Sequence, residues 1–528
     1  MSIQTKNYAF VRNKLLNKEE IAFLDVREED PHAQEHPLFA ANFPLSRIEI
    51  DAYGKLPRKN VPIVTLDDGE GYATLAAQRL IALGFTDVSV YEGGVQGWKA
   101  AGGELFRDVN VPSKSFGELV ESKRHTPSLS AQEVKKLLDD QEDVVVVDVR
   151  RFDEYNTMSI PSGISVPGAE LVLRVPELAP NPKTKIIVNC AGRTRSIIGT
   201  QSLINAGIPN EVNALRNGTI GWTLAGQELD KGQSRKFKEV SQNTASEASD
   251  RARSVADRAK VKRTNLAELE QWKSQSERTT YFLDTRTPEE YEAGHLPGFR
   301  SAPGGQLVQE TEMVAPVRGA RIVLADASSS VRANMPASWL AQMAWDVYVV
   351  DGLKDSDLTE KGIWKAPLPA LPQVQLVDAM TASQWLKSDS NTIAVDFSTH
   401  ANYVKGHIPG SWYALRSQLA EAIRQIPRVD RYVLTSSPSE LSMFVAQEFQ
   451  SLTQAEVLVL KGGNAAWTNA GLEFEKGASH LASPPLDRYK RPYEGTSVDH
   501  SAMQAYLDWE FGLVEQLGKD GTHHFWVL

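Results

Sequence analysis

Short apolar runs that end in a polar residue recur along the chain, and stretches with helical spacing lie between them. The runs are FLDVR, VVVVDVR, FLDTR and AVDFS, and their aspartates are Asp25, Asp148, Asp284 and Asp396. These aspartates are 123, 136 and 112 residues apart, about one domain in each case. β-Rich runs that alternate with helical stretches predict βαβ units. The chain is therefore predicted to be an α/β protein of four repeated domains, each a small, mainly parallel sheet with helices on both faces.

The segments between the repeats set the predicted domain boundaries. Before the third repeat the composition shifts to charged residues and alanine, and Ala248, Ala252 and Val255 share one helical face. This pattern predicts a helical connector between two pairs of domains. The predicted segments are domain 1 at 1–110, domain 2 at 115–232, the connector at 233–263, domain 3 at 264–370, domain 4 at 373–482 and a tail at 483–528.

The tail has a pattern of its own. A helix is predicted from Asp499 to about Leu517, with an apolar stripe that includes Tyr506 and Leu513. Such a stripe requires a covering surface. It docks either on a domain of the same chain or on a second copy, and the second alternative predicts a homodimer.

Charge and cysteine content narrow the function classes. The 528 residues include 57 Lys plus Arg and 67 Asp plus Glu, so the net charge is -10. This balance disfavours binding to nucleic acid or to an anionic membrane. The sequence as given starts without an apolar signal core and has no membrane-spanning apolar run, so we expect a cytoplasmic location. With Cys190 as the one cysteine, no intramolecular disulfide or multi-cysteine zinc site can form, and we predict no metal site.

Cys190 is the candidate nucleophile. It lies between a predicted strand, KIIVN, and a predicted helix, IIGTQSLINAG. A strand-loop-helix turn collects backbone N–H groups into an anion-binding bowl. Together with the charges of Arg193 and Arg195, this bowl predicts a thiol pKa well below its ordinary value. Gly192 allows a tight backbone beside the sulfur. The predicted loop consists of Cys190, Ala191, Gly192, Arg193, Thr194, Arg195 and Ser196. The alternative is an inert buried cysteine.

The other three repeats have no thiol in the corresponding loop. Cys190 follows Asp148 by 42 residues, and the same count reaches Asp67 in the first repeat and Asp326 in the third. In the fourth repeat the corresponding residue is predicted to be Thr435. Acidic residues would repel an anionic substrate, and Thr435 has no evident base beside it. Catalysis is therefore assigned to the second repeat.

Several further polar residues have a structural and a functional interpretation. Asp148 and Arg150 are predicted to form an ion pair at the strand end, since a buried charge needs a partner. The Gly-His pairs at Gly294 and Gly406 are interpreted as turn elements rather than metal ligands. Arg174 is a candidate for the substrate rim, and a surface role is the alternative.

Together, the DVR strand end at Asp148, the GHLPG and GHIPG turns, the loop CAGRTRS and the closing Gly-Trp turns resemble the rhodanese-like sulfurtransferases, in a tandem arrangement of four domains. The resemblance extends to about residue 482. It implies that Cys190 carries a persulfide, that residues 191–195 cradle it and that Arg195 holds an anionic donor, with Arg193 as a secondary contact. It further implies a ping-pong transfer of sulfur from thiosulfate to cyanide, an external thiol or a protein cysteine, without a cofactor.

Two other function classes remain open at this stage. Rhodanese-like folds resemble some cysteine-based phosphatases and arsenate reductases, but four residues between Cys190 and Arg195 make a loop shorter than such enzymes use. The third hypothesis is a binding scaffold with a vestigial or regulatory cysteine, because three of the four repeats lack one.

Overall fold

A computed structural model describes residues 3–327, 329–495 and 498–528. Within these ranges the strands form four sheets, one for each repeat. Each repeat contributes five strands in the spatial order 1-5-4-2-3, and all of their pairings are parallel. Parallel pairing requires crossover connections, and helices supply them on both faces of each sheet. The predicted fold class is confirmed.

The strands are short, and the central ones are the apolar runs seen in the sequence. The second strand of each repeat ends at the recurring aspartate, so the polar side chains gather at one edge of each sheet. The strands are Gln4–Lys6, Ile21–Asp25, Ala41–Asn42, Ile63–Leu66, Val88–Tyr91, Ser128–Leu129, Val144–Asp148, Ile164–Ser165, Lys185–Asn189, Val212–Leu215, Lys262–Thr264, Thr280–Asp284, Arg300–Ser301, Val317–Arg318, Arg321–Ala325, Asp346–Val350, Leu376–Val377, Thr392–Asp396, Trp412–Tyr413, Arg431–Thr435 and Glu456–Leu460.

The helices also recur from repeat to repeat, between and after the strands. Between Asp346–Val350 and the fourth repeat, where the sequence lacks the Gly-Trp turn, the described residues contain only the short 3₁₀ turn Asp355–Asp357. The α-helices are Tyr8–Leu16, Glu29–Gln34, Ile48–Lys55, Tyr72–Ala82, Gly94–Ala100, Val111–Arg124, Ala131–Asp139, Phe152–Thr157, Leu171–Leu178, Thr194–Asn205, Gly218–Leu224, Gln242–Arg258, Leu266–Lys273, Pro288–Ala293, Gly304–Gln309, Thr311–Val314, Val331–Gln342, Ala379–Ser388, His400–Lys405, Leu419–Gln425, Ser439–Ser451, Gly463–Asn469, His500–Phe511 and Leu513–Asp520.

The first and third repeats share a sheet. The strand Val317–Arg318 comes from the third repeat but pairs antiparallel with Ile21 and Ala22 of the first. The side chain of Val317 packs in the same hydrophobic core as the side chains of the first sheet. The two repeats are therefore joined by backbone pairing as well as by side-chain packing.

The remaining repeats meet through equivalent elements. The second repeat packs on the third, where the indole of Trp339 donates a hydrogen bond to Ser202 over 2.8 Å. The first packs on the fourth, where Arg416 donates to the buried carboxylate of Glu49 over 3.0 Å. The connector helix Gln242–Arg258 packs against Leu171–Leu178 and Val331–Gln342 with its alanine face. Repeats that are far apart in the sequence, such as the first and the fourth, are therefore also in contact.

The predicted tail helix is present as two helices, His500–Phe511 and Leu513–Asp520, which meet at Gly512. The apolar stripe is covered by the same chain, since Tyr506 is 6% exposed and Leu513 is fully buried. Both helices contact Val111–Arg124, the helix that links the first two repeats. The stripe therefore gives no argument for a dimer. Of the helices in the described ranges, none has both the length and the apolar character needed to cross a membrane.

Candidate active site

Cys190 follows the central strand Lys185–Asn189 directly, and the helix Thr194–Asn205 begins four residues later. The side chain is buried, with 1% of its surface exposed. Its sulfur lies 3.4 Å from the hydroxyl oxygen of Ser196, and the backbone N–H of Ser196 also faces it. The helix N-terminus and the cysteine thus face each other across the loop, as the sequence predicts.

The backbone of the cysteine loop is fixed by the helix Gly218–Leu224. The N–H of Thr219 donates to the carbonyl of Cys190 over 2.9 Å, and that of Ile220 donates to Ala191 over 3.0 Å. Gly218 has a φ of +54°, and a Cβ there would stand 2.3 Å from the Cys190 carbonyl oxygen. Any side chain at this position would displace the loop. The closing glycine turn therefore shapes the site, a role that the sequence analysis did not give it.

The loops of the first and third repeats show what this cradle can hold. In the first repeat the carboxylate of Asp67 accepts from the N–H of Ala73 over 3.0 Å. In the third, the carboxylate of Asp326 accepts from the N–H of Arg332 over 2.7 Å. In both cases the donor lies six residues after the acceptor, the same separation as from Cys190 to Ser196. The cradle therefore accommodates a negatively charged group at the position of the cysteine side chain.

The fourth repeat corrects one assignment. Asp396 pairs with Thr435 across the sheet, just as Asp148 pairs with Asn189 in the second repeat. Ser436, not Thr435, therefore occupies the cysteine position, and its hydroxyl accepts from an N–H six residues on over 2.9 Å. The prediction of Thr435 was wrong by one position: the connection before this strand is two residues shorter than in the other repeats, so the count of 42 does not apply, and Thr435 is the last residue of the strand.

The two loop arginines lie on different sides and are both paired. Arg195 donates two hydrogen bonds to Glu154, over 2.8 and 2.9 Å. Arg193 donates to Glu118 on the helix Val111–Arg124, over 2.7 and 2.8 Å. Arg195 borders a cavity of about 330 Å³, whereas Arg193 faces a separate one of about 240 Å³. Of the two, Arg195 adjoins the larger polar space.

The predicted lowering of the thiol pKa is wrong for this structure. Burial raises the pKa of Cys190, and the charge of Arg195 and the hydrogen bonds of Ser196 oppose this only in part. The sequence analysis counted the positive charge of the arginines but not the glutamates that neutralise them. It also missed the cover that removes water from the sulfur.

Cys190 itself lies in the core of the second repeat, and the tail adds a cover over the loop beside it. Tyr493, Tyr506 and neighbouring apolar side chains pack on Ala191 and Ile220. A Cβ at Gly192 would stand 3.2 Å from the ring of Tyr506. Glycine at position 192 therefore makes room for the ring of Tyr506; its backbone is not in the left-handed region. The apolar stripe of the tail predicted that this helix would pack on another surface, but the sequence did not show which surface.

The remaining candidates lie around the loop or away from it. Asp148 and Arg150 form a buried ion pair of 2.7 Å. Arg150 also donates to the carbonyl of Met158, as its counterpart in the third repeat does to a glycine carbonyl. The backbone is extended at Met158, so this turn does not need glycine. Arg174 is 7% exposed and pairs with Glu170 over 2.9 Å. It is neither a surface residue nor part of the cavity beside Arg195.

Thr194 anchors the start of the helix that follows the loop. Its side chain packs against Gly117, where a Cβ would stand 2.8 Å from the Thr194 methyl group. The helix Val111–Arg124 therefore supports the loop both at Thr194 and through the pair of Glu118 with Arg193.

These features are those of one protein family, and comparison with known proteins shows which. The model of the rhodanese-like domain matches residues 11–101, 130–225, 265–352 and 374–470. The chain therefore belongs to the rhodanese-like family. Each matched range lies inside one of the four predicted domains, whose boundaries themselves remain predictions.

One solved structure is similar over the whole chain. It is a thiosulfate sulfurtransferase from Pseudomonas aeruginosa, 61% identical, with a TM-score of 0.98 and all of both chains covered. Among curated proteins, the HTH-type transcriptional regulator Rv0324 of Mycobacterium tuberculosis is 34% identical over 90 residues. That match covers 17% of this chain and 39% of the regulator, so the chain spans about two fifths of that relative's length.

Proposed function

We propose that this chain is a thiosulfate sulfurtransferase, which moves sulfane sulfur from thiosulfate or a similar small anion to an external acceptor. Cys190 is the carrier and forms the persulfide. The full-length similarity to the Pseudomonas aeruginosa thiosulfate sulfurtransferase supports this reaction. The anion-holding loop, residues 190–196, belongs to the same proposal.

The observation that carries the proposal is the cradle common to the repeats. Where the side chain at the cysteine position is a carboxylate, as in Asp67 and Asp326, a backbone N–H binds it. A persulfide carries its negative charge on the outer sulfur, so the same donors suit it. Cys190 is the one residue at this position that can form a persulfide.

The cavity beside Arg195 supports an anionic donor. It lies between the second repeat, the third repeat and the tail, and it has a volume of about 330 Å³. Among the described residues, its lining has five arginines and four carboxylates, an excess of one positive charge; the arginines are Arg150, Arg151, Arg195, Arg488 and Arg491, and the acids are Asp153, Glu154, Glu310 and Glu494. Guanidinium groups favour the binding of sulfonate-like oxygens.

The acceptor must come from outside the chain, because no second cysteine is present to take the sulfur. A low-molecular-weight thiol, cyanide or a cysteine of another protein fits this requirement. The cytoplasmic location and the domain boundaries at 110, 115, 232, 263, 370 and 482 remain predictions from the sequence. The homodimer is untested, and the tail stripe no longer supports it.

Intact mass spectrometry tests the proposal directly. We expect the reduced protein to gain one sulfur atom on incubation with thiosulfate and to lose it to cyanide, with thiocyanate formed. Cys190→Ser gains no sulfur. If the wild type takes sulfur neither from thiosulfate nor from mercaptopyruvate, the proposal fails and a binding scaffold is favoured. Rapid hydrolysis of an aryl phosphate would instead favour the phosphatase class.

A further inference from the structure

A buried carboxyl group of the tail faces the cysteine loop. Glu510, on the helix His500–Phe511, is fully buried. Its Oε1 accepts a hydrogen bond from the hydroxyl of Tyr506 over 2.9 Å. Its Oε2 has no hydrogen-bond partner among the residues that the structure describes. A buried polar oxygen without a partner costs stability, so its position calls for a functional explanation.

The free oxygen points to the backbone that surrounds the sulfur. A Cβ at Gly192 would stand 3.5 Å from Oε2 of Glu510, and within the described ranges no other carboxyl oxygen comes this close to that position. Gly192 lies two residues after Cys190, and the charge on Glu510 acts on the thiol. The carboxyl group is therefore part of the wall of the sulfur site.

The cations near Glu510 are already neutralised. Lys114 forms an ion pair of 2.7 Å with Asp108, and Arg193 pairs with Glu118. Burial, with a contribution from the charge of Glu118, raises the pKa of Glu510 to about 8, while Lys114, Tyr506 and Arg193 oppose the shift. At neutral pH the group is a carboxylic acid, which has an O–H to donate.

We propose that Glu510 donates a hydrogen bond from its neutral carboxyl group to the outer sulfur of the Cys190 persulfide. The C-terminal helix is then part of the active site, an inference that rests on the proposed function. In the transfer, the Cys190 thiol first loses its proton to solvent. Its sulfur attacks the outer sulfur of thiosulfate, the new S–S bond forms, and the S–S bond of thiosulfate breaks with its electron pair leaving on sulfite. Glu510 keeps its proton throughout and stabilises the negative outer sulfur.

This role predicts a specific pH dependence. Above pH 8, Glu510 loses its donor and places a negative charge beside an anionic sulfur, so sulfur loading of the wild type levels off. Glu510→Gln stays neutral and keeps N–H donors, so its loading rate continues to rise as Cys190 ionises. With a pKa of about 8, the neutral fraction of Glu510 falls from about one half at pH 8 to about a tenth at pH 9, so the ratio of the two rates is expected to grow about fivefold.

The experiment measures the second-order rate of sulfur gain from thiosulfate by intact mass, from pH 6.5 to 9.5. Glu510→Leu, which has no donor, is expected to load at least tenfold more slowly than the wild type at pH 7. Glu515→Gln is the matched control, because Glu515 is exposed on the next helix, where it pairs with Lys519; its profile is expected to match the wild type.

The outcomes separate the two proposals. If the wild type gains sulfur but Glu510→Gln follows the same pH profile, or Glu510→Leu loads as fast, the role of Glu510 is overturned and the transferase function stands. If the wild type gains no sulfur at any pH, the proposed function fails, and the inference fails with it.

Discussion

The tail packs on the cysteine loop, so we predict that it limits access to Cys190, and shortening Tyr506 to alanine tests this. Tyr506 is 6% exposed and packs on the cysteine loop. A buried aromatic side chain removes roughly 150–250 Å² from water, and its loss typically costs about 3–5 kcal/mol. If about 3 kcal/mol of this holds the tail closed, Tyr506→Ala increases the open fraction about 150-fold. If opening of the tail is the step that exposes Cys190, its alkylation should accelerate by the same factor.

The assay is simple because the chain has one cysteine. Intact mass follows the addition of one iodoacetamide group at pH 8 under native conditions, and the rate in denaturant gives the intrinsic reactivity. Tyr506→Phe keeps the ring and is expected to react less than tenfold faster than the wild type. Gln504→Ala, an exposed position on the same helix, should not change the rate. Alkylation of Tyr506→Ala within threefold of the wild-type rate would refute the reasoning.

Three further predictions concern the loop. Gly218→Ala places a Cβ 2.3 Å from the Cys190 carbonyl oxygen, so it should abolish sulfur loading and lower the free energy of unfolding by about 1–3 kcal/mol; loading at the wild-type rate would contradict this. Cys190→Asp should unfold in urea within about 1 kcal/mol of the wild type, because the equivalent cradle of the first repeat holds Asp67 through backbone N–H groups; a loss of 3 kcal/mol or more would show that it does not accept a carboxylate. Burial opposes ionisation of Glu154, but Arg195 lowers its pKa to about 2. The ion pair therefore stabilises the fold above pH 4.5, and this contribution is lost as the pH falls towards 2. Between pH 6 and pH 3 the free energy of unfolding in urea should decrease less for Glu154→Gln than for the wild type, and an equal decrease would argue against the pair.

The sequence predicted what is local and what repeats. Hydrophobic periodicity and the recurring aspartates indicated four α/β units, and the strand-loop-helix pattern located Cys190 and its cradle. Loop position could be counted only where the connections have equal length; in the fourth repeat the connection is shorter, the count gave no position, and the prediction of Thr435 missed Ser436 by one residue.

Contacts between distant segments left no such pattern. The pairing of Arg193 with Glu118 joins residues 75 positions apart, and the carboxyl of Glu510 reaches a loop more than 300 residues earlier in the chain. Neither follows from residue spacing, because each depends on how whole repeats pack together. For the same reason the charge balance around Cys190 was misjudged: the arginines were visible in the loop, but their partners were not.

The strand Val317–Arg318 has a consequence for the order in which the protein is made. Ile21 and Ala22, with which it pairs, are synthesised almost 300 residues earlier. At about 5–20 residues per second, the ribosome needs roughly 15–60 s to reach the partner strand. During that time this part of the first sheet is an open edge, which can pair with other chains. The nascent N-terminal half therefore has a defined period of vulnerability to aggregation, which closes only when the third repeat emerges.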